Sequence, residues 1–98
     1  MMSPRRSYRS KVRILVDMMR TIKGEGEHGA GPTKILYGAN LSYDRLTQYL
    51  EELVEKELIS ETEVDAESRV YHLTTKGNDF LQEFTKVERF SEAFGIEI

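Results

Sequence analysis

Apolar side chains recur every three or four residues near the start of the chain, the repeat of a helix that buries one face. The segment RSKVRILVDMMRTIK, residues 9 to about 23, is therefore predicted to be helical. Ser10 can cap its start, and Gly24 suits its end. The predicted apolar stripe consists of Val12, Leu15, Val16, Met19 and Ile22.

Two further helices are predicted after a glycine-rich loop. Pro32 favours the first position of a short second helix, since a proline there lacks only an N–H that would be unpaired anyway. Gly38 and Asn40 mark its end, because both tolerate positive φ. Ser42 then caps a third helix of about four turns. The side chains predicted to face the core are Ile35, Leu36, Tyr37, Leu46, Tyr49, Leu50, Leu53 and Val54.

The pattern then changes to strict alternation, which is typical of strands. ISETEV and RVYHLT alternate around the polar stretch DAES, which predicts a β-hairpin with Tyr71 and Leu73 facing the core and Val70 and His72 on the other face. A last helix starts near Thr75, and its apolar stripe is Phe80, Leu81, Phe84, Val87, Phe90 and Phe94.

The order of helix, helix, helix, hairpin and helix predicts a mainly α fold with a small β-hairpin. The short turn GANLS between the second and third helices makes them a helix-turn-helix, and the hairpin is its wing. The predicted organisation is a basic arm over residues 1–8, a winged domain with a three-helix core over residues 9–78, and a C-terminal dimerisation helix over residues 79–98.

Composition narrows the class of protein. The 98 residues, 39% hydrophobic and 32% charged, fit one small globular domain, for which oligomerisation is a common support. No signal peptide or membrane span is apparent, and the absence of cysteine excludes a disulfide scaffold and a thiolate metal site. A cytoplasmic location without membrane contact is expected.

Charge is unevenly distributed. Residues 1–23 carry seven Lys or Arg and one acid, and residues 24–98 carry seven Lys or Arg and sixteen acids, so a net charge of +6 precedes one of −9. A basic N-terminal segment on an acidic body suggests a polyanion contact near the N-terminus. A solvated basic tail is the alternative.

The loop GEGEHGAGPTK contains two phosphate-binding patterns. Gly24, Gly26 and Gly29 fit G-x-G-x-x-G, but a predicted helix precedes them where that fingerprint needs a strand. The second pattern, G-x-x-x-x-G-K-[ST], has Pro32 where the phosphate-binding lysine belongs. Two glutamates in the loop would repel an anion. The loop is therefore predicted to be a flexible connector between two packed helices.

Four segments carry a more specific signal: Thr33-Lys34-Ile35-Leu36-Tyr37, Asn40-Leu41-Ser42-Tyr43, Tyr49-Leu50-Glu51-Glu52-Leu53 and Leu73-Thr74-Thr75-Lys76-Gly77. In this order and spacing the chain resembles the archaeal winged helix-turn-helix regulators of the ArnR-like class, over roughly residues 10–84. Two features depart from that pattern. Glu57 stands where those sequences usually have glycine, and the loop at residues 24–31 is longer and richer in glycine.

The resemblance implies a sequence-specific regulator of transcription that binds double-stranded DNA as a homodimer. The third helix would enter the major groove, with Lys34 on a phosphate and Arg69 reaching DNA from the wing. Arg9 and Lys11 would add phosphate contacts from the first helix. The base-facing residues would be Ser42, Tyr43, Arg45, Thr47 and Gln48.

The charges limit this interface. Acids outnumber cations on the third helix and on the wing, so the predicted DNA-binding face is narrow. Arg45 could instead pair with Asp44 or Glu52, and Tyr43 could pack beside the turn. A winged helix can also serve as a protein–protein interaction module without DNA binding, and an acidic surface would suit a basic partner.

The last helix is predicted to pair with a second copy. Its early apolar residues can finish the core, whereas the later ones lie beyond what so small a domain easily buries. The predicted interface is Phe84, Val87, Phe90 and Phe94. No cofactor and no metal are expected, since His28 and His72 are isolated in sequence, and no catalytic arrangement of side chains indicates an enzyme.

Overall fold

The computed structural model describes residues 9–98; the predicted basic arm lies outside them. The elements are α1 (Lys11–Gly24), α2 (Pro32–Gly38), α3 (Tyr43–Glu55), β1 (Ile59–Asp65), β2 (Ser68–Leu73) and α4 (Thr75–Ala93), with a 3₁₀ turn at Gly26–His28. The mainly helical fold with a two-stranded antiparallel hairpin confirms the predicted fold class.

Side-chain caps start three of the four helices. The hydroxyls of Ser10, Ser42 and Thr74 accept hydrogen bonds from backbone N–H groups three residues on, at 3.2, 3.3 and 2.9 Å. Each bond satisfies a donor that the first helical turn leaves unpaired. The predicted caps at Ser10 and Ser42 are therefore confirmed, and Thr74 is the cap of α4.

The core lies where α1 meets the other elements. α1 contacts α2, β2 and α4, so its buried surface is wider than a single stripe. Ile14 and Met18, outside the predicted stripe, are fully buried, whereas the predicted Val12 is exposed. A helix packed on several sides buries a second row of positions, which a one-face pattern does not include.

The prediction for the side chain of Tyr37 is also wrong. Its side chain is 77% exposed, although it was predicted to face the core. Ile35 is the fully buried residue of the short helix α2, and two positions along a helix correspond to about 200° of rotation. Tyr37 therefore points away from the core, while Tyr49 packs against it as predicted.

The glycine-rich connector takes part in the sheet. Ala30 forms an isolated antiparallel bridge with Tyr71, through N–H to O=C distances of 2.9 and 2.8 Å. The neighbouring Gly29 has φ 76°, and a Cβ there would lie 2.7 Å from Nε2 of His72. Only glycine fits this backbone and this close approach. The connector is thus joined to the wing through one bridging residue.

The junction between α3 and α4 is closed by the LTTKG motif. Three consecutive carbonyls after α3 receive hydrogen bonds from it: Lys76 Nζ to the carbonyl of Lys56 at 2.9 Å, Thr74 Oγ1 to that of Glu57 at 2.7 Å, and the Thr74 N–H to that of Leu58 at 3.2 Å. Carbonyls just beyond the end of a helix have no partner within it. The motif therefore fixes the end of α3 on the start of α4.

Glu57 has φ 64°, in the left-handed region that favours glycine. We expect Glu57→Gly to stabilise the protein by about 1 kcal/mol. The substitution removes the close contact between Cβ of residue 57 and the carbonyl oxygen that follows it. Urea unfolding at fixed protein concentration would measure this change. Glu55→Gly, an equal loss of charge in the last turn of α3, should destabilise instead; equal effects would contradict the strain at position 57.

Candidate nucleic-acid interface

The turn between α2 and α3 is held by backbone hydrogen bonds. Leu41 N–H donates to the carbonyl of Leu36 at 3.0 Å, and Asn40 N–H to that of Tyr37 at 3.3 Å. Asn40 has φ 55°, a conformation that asparagine tolerates better than most residues. Ala39 is fully buried beneath the turn. The start of α3 therefore projects from a fixed position.

The first turns of α3 present a continuous polar surface around the buried Leu46. Tyr43 is 72% exposed, which places it on the surface and not beside the turn. Within residues 9–98, Arg45 forms no ion pair with Asp44 or Glu52. All five residues predicted to face bases are exposed here: Ser42, Tyr43, Arg45, Thr47 and Gln48.

Two cations at the start of the described chain contact the helix-turn-helix, each paired with an acid. Arg9 bonds Asp17 at 2.7 Å and also donates to the carbonyl of Asn40 at 2.9 Å, so it ties the segment before α1 to the helix-turn-helix. Lys11 contacts Glu52 of α3 at 2.9 Å, and this hydrogen bond raises the pKa of Lys11. The Lys11 pair thus neutralises one acid of α3, and the Arg9 pair one acid of α1.

Lys34 and Tyr37 lie three residues apart on the exposed face of α2, the spacing that makes helical neighbours. Lys34 is exposed, 3.7 Å from Glu25, a distance too long for a tight hydrogen bond. Tyr37 was not among the predicted contacts. Its position opposite Ile35 on the helical wheel is the sequence signal that could have predicted its exposure.

The wing carries one residue predicted to contact DNA, Arg69, and several acidic residues. Arg69 bonds Glu61 across the hairpin at 2.5 Å, and this bond raises the pKa of Arg69. The hydroxyl of Tyr71 donates to the same carboxylate at 3.4 Å. Three further acids are exposed along the wing: Glu63, Asp65 and Glu67. The guanidinium of Arg69 is therefore already engaged.

The end of α4 exposes the second predicted surface. Phe90 and Phe94 are 67% and 66% exposed, and their ring centroids are 4.9 Å apart. Val87, Ile96 and Ile98 extend this exposed apolar surface. Phe84, also predicted for the interface, packs partly against the core. Together these residues form the C-terminal apolar surface: Val87, Phe90, Phe94, Ile96 and Ile98.

Two other kinds of feature are absent from residues 9–98. In this range no helix combines the length and the apolar character needed to cross a bilayer. No group of three or more His, Asp or Glu side chains there stands close enough to share a metal ion.

A three-helix core, a hairpin behind it and an exposed start of the third helix define a winged helix-turn-helix domain. Residues 8–92 match the winged helix-turn-helix family, and the chain belongs to that family. No curated protein matches the sequence significantly.

Solved structures share the fold. Sso10a-2, a DNA-binding protein from Sulfolobus solfataricus, is similar with a TM-score of 0.68 and 23% identity over 89% of this chain and 90% of that one. MepR, a transcription regulator of the Staphylococcus aureus multidrug efflux pump MepA, has a TM-score of 0.73 and 19% identity over 92% of this chain and 65% of its own. A MepR mutant bound to an oligodeoxyribonucleotide has a TM-score of 0.69 and 20% identity, over 83% and 60%. The chain thus spans under two thirds of MepR.

Proposed function

We propose that this protein is a homodimeric regulator of transcription that binds double-stranded DNA in a sequence-specific manner. Within its family, the order of its motifs supports an archaeal regulator of the ArnR-like class, acting in the cytoplasm. The observation that carries the proposal is the set of exposed polar side chains at the fixed start of α3. A helix start of this kind reads base edges in the major groove.

Arg45 is the central residue of this proposal. It is exposed and forms no ion pair within residues 9–98, so its guanidinium is available to a guanine edge or to a phosphate. The start of α3 also carries the positive end of the helix dipole, which favours a phosphate nearby. Ser42 caps the helix, which leaves Tyr43, Thr47 and Gln48 as further base contacts.

Phosphates on either side of the groove would be held by the first two helical segments. Lys34 reaches one from α2, and Arg9 and Lys11 reach another from the start of α1. Arg9 has five N–H donors and uses two nitrogens on Asp17 and Asn40, so donors remain for a phosphate. Sso10a-2 is described as DNA-binding, and a MepR mutant is bound to an oligodeoxyribonucleotide, which supports DNA as the partner.

The C-terminal apolar surface supports the homodimer. Exposed aromatic side chains in a contiguous patch are typical of interfaces. A two-fold dimer presents the same patch from both subunits, so each of these residues would be buried against its own kind. Two copies of α3 would then read two halves of a pseudo-palindromic site.

We expect Arg45→Ala to weaken binding to a specific duplex by roughly tenfold to a hundredfold, the usual cost of one bidentate base contact. Fluorescence anisotropy with labelled duplexes, including the protein's own upstream region, would measure this at several salt concentrations. Affinity should fall steeply with salt, because phosphate contacts release counterions.

Lys56→Ala is the matched control. It removes one positive charge from the opposite end of the same helix, where Lys56 is the C-cap of α3. Its effect should stay within about twofold, since an exposed charge away from the groove contributes little. Equal losses in both variants would argue against base reading by Arg45.

The acidic wing favours a second candidate function, recognition of a basic protein partner. Glu61 forms an ion pair with Arg69, and three further exposed acids lie on the same hairpin. A folded dimer that binds no duplex at low salt would favour this candidate over DNA recognition.

A further inference from the structure

Polar side chains join α4 to α1 along much of its length. Lys23 donates to Asn78 at 2.9 Å near the start of α4, and Arg20 donates to Thr85 at 3.2 Å further along. Arg13, closer to the start of α1, contacts Glu88. The order of these contacts shows that α1 and α4 run in opposite directions.

Glu88 is the last charged residue in this seam and bridges two arginines. Its Oε1 accepts from Arg20 at 2.6 Å, and its Oε2 accepts from Arg13. The hydrogen bond from Arg20, followed by that from Arg13, lowers the pKa of Glu88. The guanidinium of Arg13 also lies 5.5 Å from the ring centroid of Phe84. A second nitrogen of Arg20 also donates to Oε2, at 3.4 Å. Both carboxylate oxygens are therefore used, and Glu88 joins two separate turns of α1.

These contacts are better shielded than ordinary surface ion pairs. The side chains of Glu88, Arg13 and Arg20 are 20%, 28% and 38% exposed. Lys86 and Glu83, on the outer side of the same helix, are 69% and 71% exposed. Partly buried charge pairs are screened less by salt, and charge-assisted hydrogen bonds are directional.

Apolar contacts alone would fix α4 less firmly, since the hydrophobic effect has no preferred direction. Leu81 is the last fully buried apolar residue of α4, and Glu88 follows it by two helical turns. Phe90 and Phe94 come two and six residues after Glu88, about 3 and 9 Å further along the axis. The bridge thus stands at the base of the C-terminal apolar surface.

We propose that Glu88 is a positioning residue that sets the direction in which α4 leaves the winged domain. In a homodimer joined through α4, that direction fixes the distance between the two copies of α3. It thereby selects the spacing of the two half-sites on DNA. This inference rests on the homodimer and on the DNA recognition proposed above.

The distance between the two copies of α3 can be measured without DNA. The chain has no cysteine, so Glu55→Cys, at the exposed end of α3, introduces a single site for a spin label. Double electron–electron resonance on the full chain then reports the separation of the two labels. The labelled Glu55→Cys variant is the parent for this test, and we expect one narrow distribution of label-to-label distances in it. Adding Glu88→Gln should give a broader or shifted distribution.

Glu83→Gln is the matched control. It removes the same charge from α4, but its partner Lys86 lies on the same helix, so the direction of α4 should not change. Arg20→Gln provides a second test, with an effect similar to that of Glu88→Gln. Adding both changes should broaden the distribution little further, because both act on one contact.

The readout on DNA is a panel of duplexes that differ only in half-site spacing. Glu88→Gln should reduce the preference for the best spacing over its neighbours by about tenfold, the lower end of the usual effect of losing one charge-assisted contact. Glu83→Gln should leave the preference unchanged. This effect on spacing is one that a general loss of stability would not produce.

The possible failures are distinguishable. No dipolar signal in the parent would remove the homodimer, and with it this inference. A folded dimer that binds no duplex would remove the proposed function. Binding with identical distances and spacing preference in Glu88→Gln, Arg20→Gln and the control would overturn the role of Glu88 alone. If Glu88→Gln fails to fold by circular dichroism, the Arg20→Gln variant decides.

Discussion

The double substitution Phe90→Glu and Phe94→Glu is expected to give a folded monomer. Fully burying a phenylalanine contributes roughly 1.5–3 kcal/mol, and a two-fold interface contains each residue twice. Placing carboxylates in the apolar contact adds a desolvation cost. We therefore expect the dimer dissociation constant to rise at least about a thousandfold. Sedimentation velocity over a range of concentrations would measure this change.

The same variant tests the link between the dimer and DNA. A monomer binds one half-site at a time, so affinity for a full site should fall by roughly 10² to 10⁴ as the second contact is lost. Val64→Glu is the control, because Val64 is an exposed apolar residue of the wing, 61% exposed. It should remain a dimer. A dimer that persists in the double variant would contradict the role of the C-terminal apolar surface.

The second large effect is expected from Gly77→Ala. Gly77 lies in the first turn of α4, over the chain where β1 begins. A Cβ there would lie 2.1 Å from the carbonyl oxygen of Leu58 and 2.8 Å from a methyl group of Leu73. The oxygen belongs to the backbone and already accepts the N–H of Thr74, so it cannot move away freely. The helix must shift, and α3 is fastened to it.

We expect Gly77→Ala to destabilise the fold by about 3 kcal/mol, the upper part of the usual range for overpacking. This corresponds to a fall of roughly 12–24 °C in the thermal midpoint. Thermal unfolding followed by circular dichroism, at one fixed concentration, would measure it. Gly24→Ala is the control, since nothing lies within 4 Å of a Cβ there. Equal thermal midpoints for the two variants would contradict the steric clash expected at position 77.

Local signals in the sequence were sufficient to predict the elements of the fold. Ser10 and Ser42 precede periodic apolar segments, and Pro32 suits a helix start, so the helix starts could be read from residue type. The register of Tyr71 and Leu73 followed from strict alternation. These features depend on neighbours in sequence, and such neighbours are visible without a structure.

Contacts between distant segments could not be predicted in this way. The bridge between Ala30 and Tyr71 depends on how the connector folds back, and the exposure of Tyr37 depends on which side of α2 meets the core. The pairing of Lys11 with Glu52 joins residues that are far apart in sequence. For the candidate site, residue type predicted which side chains lie on the surface of α3. It did not predict which cations are already engaged.

The LTTKG motif also determines when the reading surface is complete during synthesis. Chains are made from the N-terminus, so α3 emerges before residues 74–77 exist. Until then the carbonyls of Lys56, Glu57 and Leu58 have only water as partners, and the left-handed backbone of Glu57 is held only by the hydrogen bonds from the N–H groups of Glu57 and Leu58 to the carbonyls of Val54 and Leu53. An isolated helix of 13 residues is marginal in water. The ribosome must therefore release almost the whole winged domain before α3 acquires its final shape.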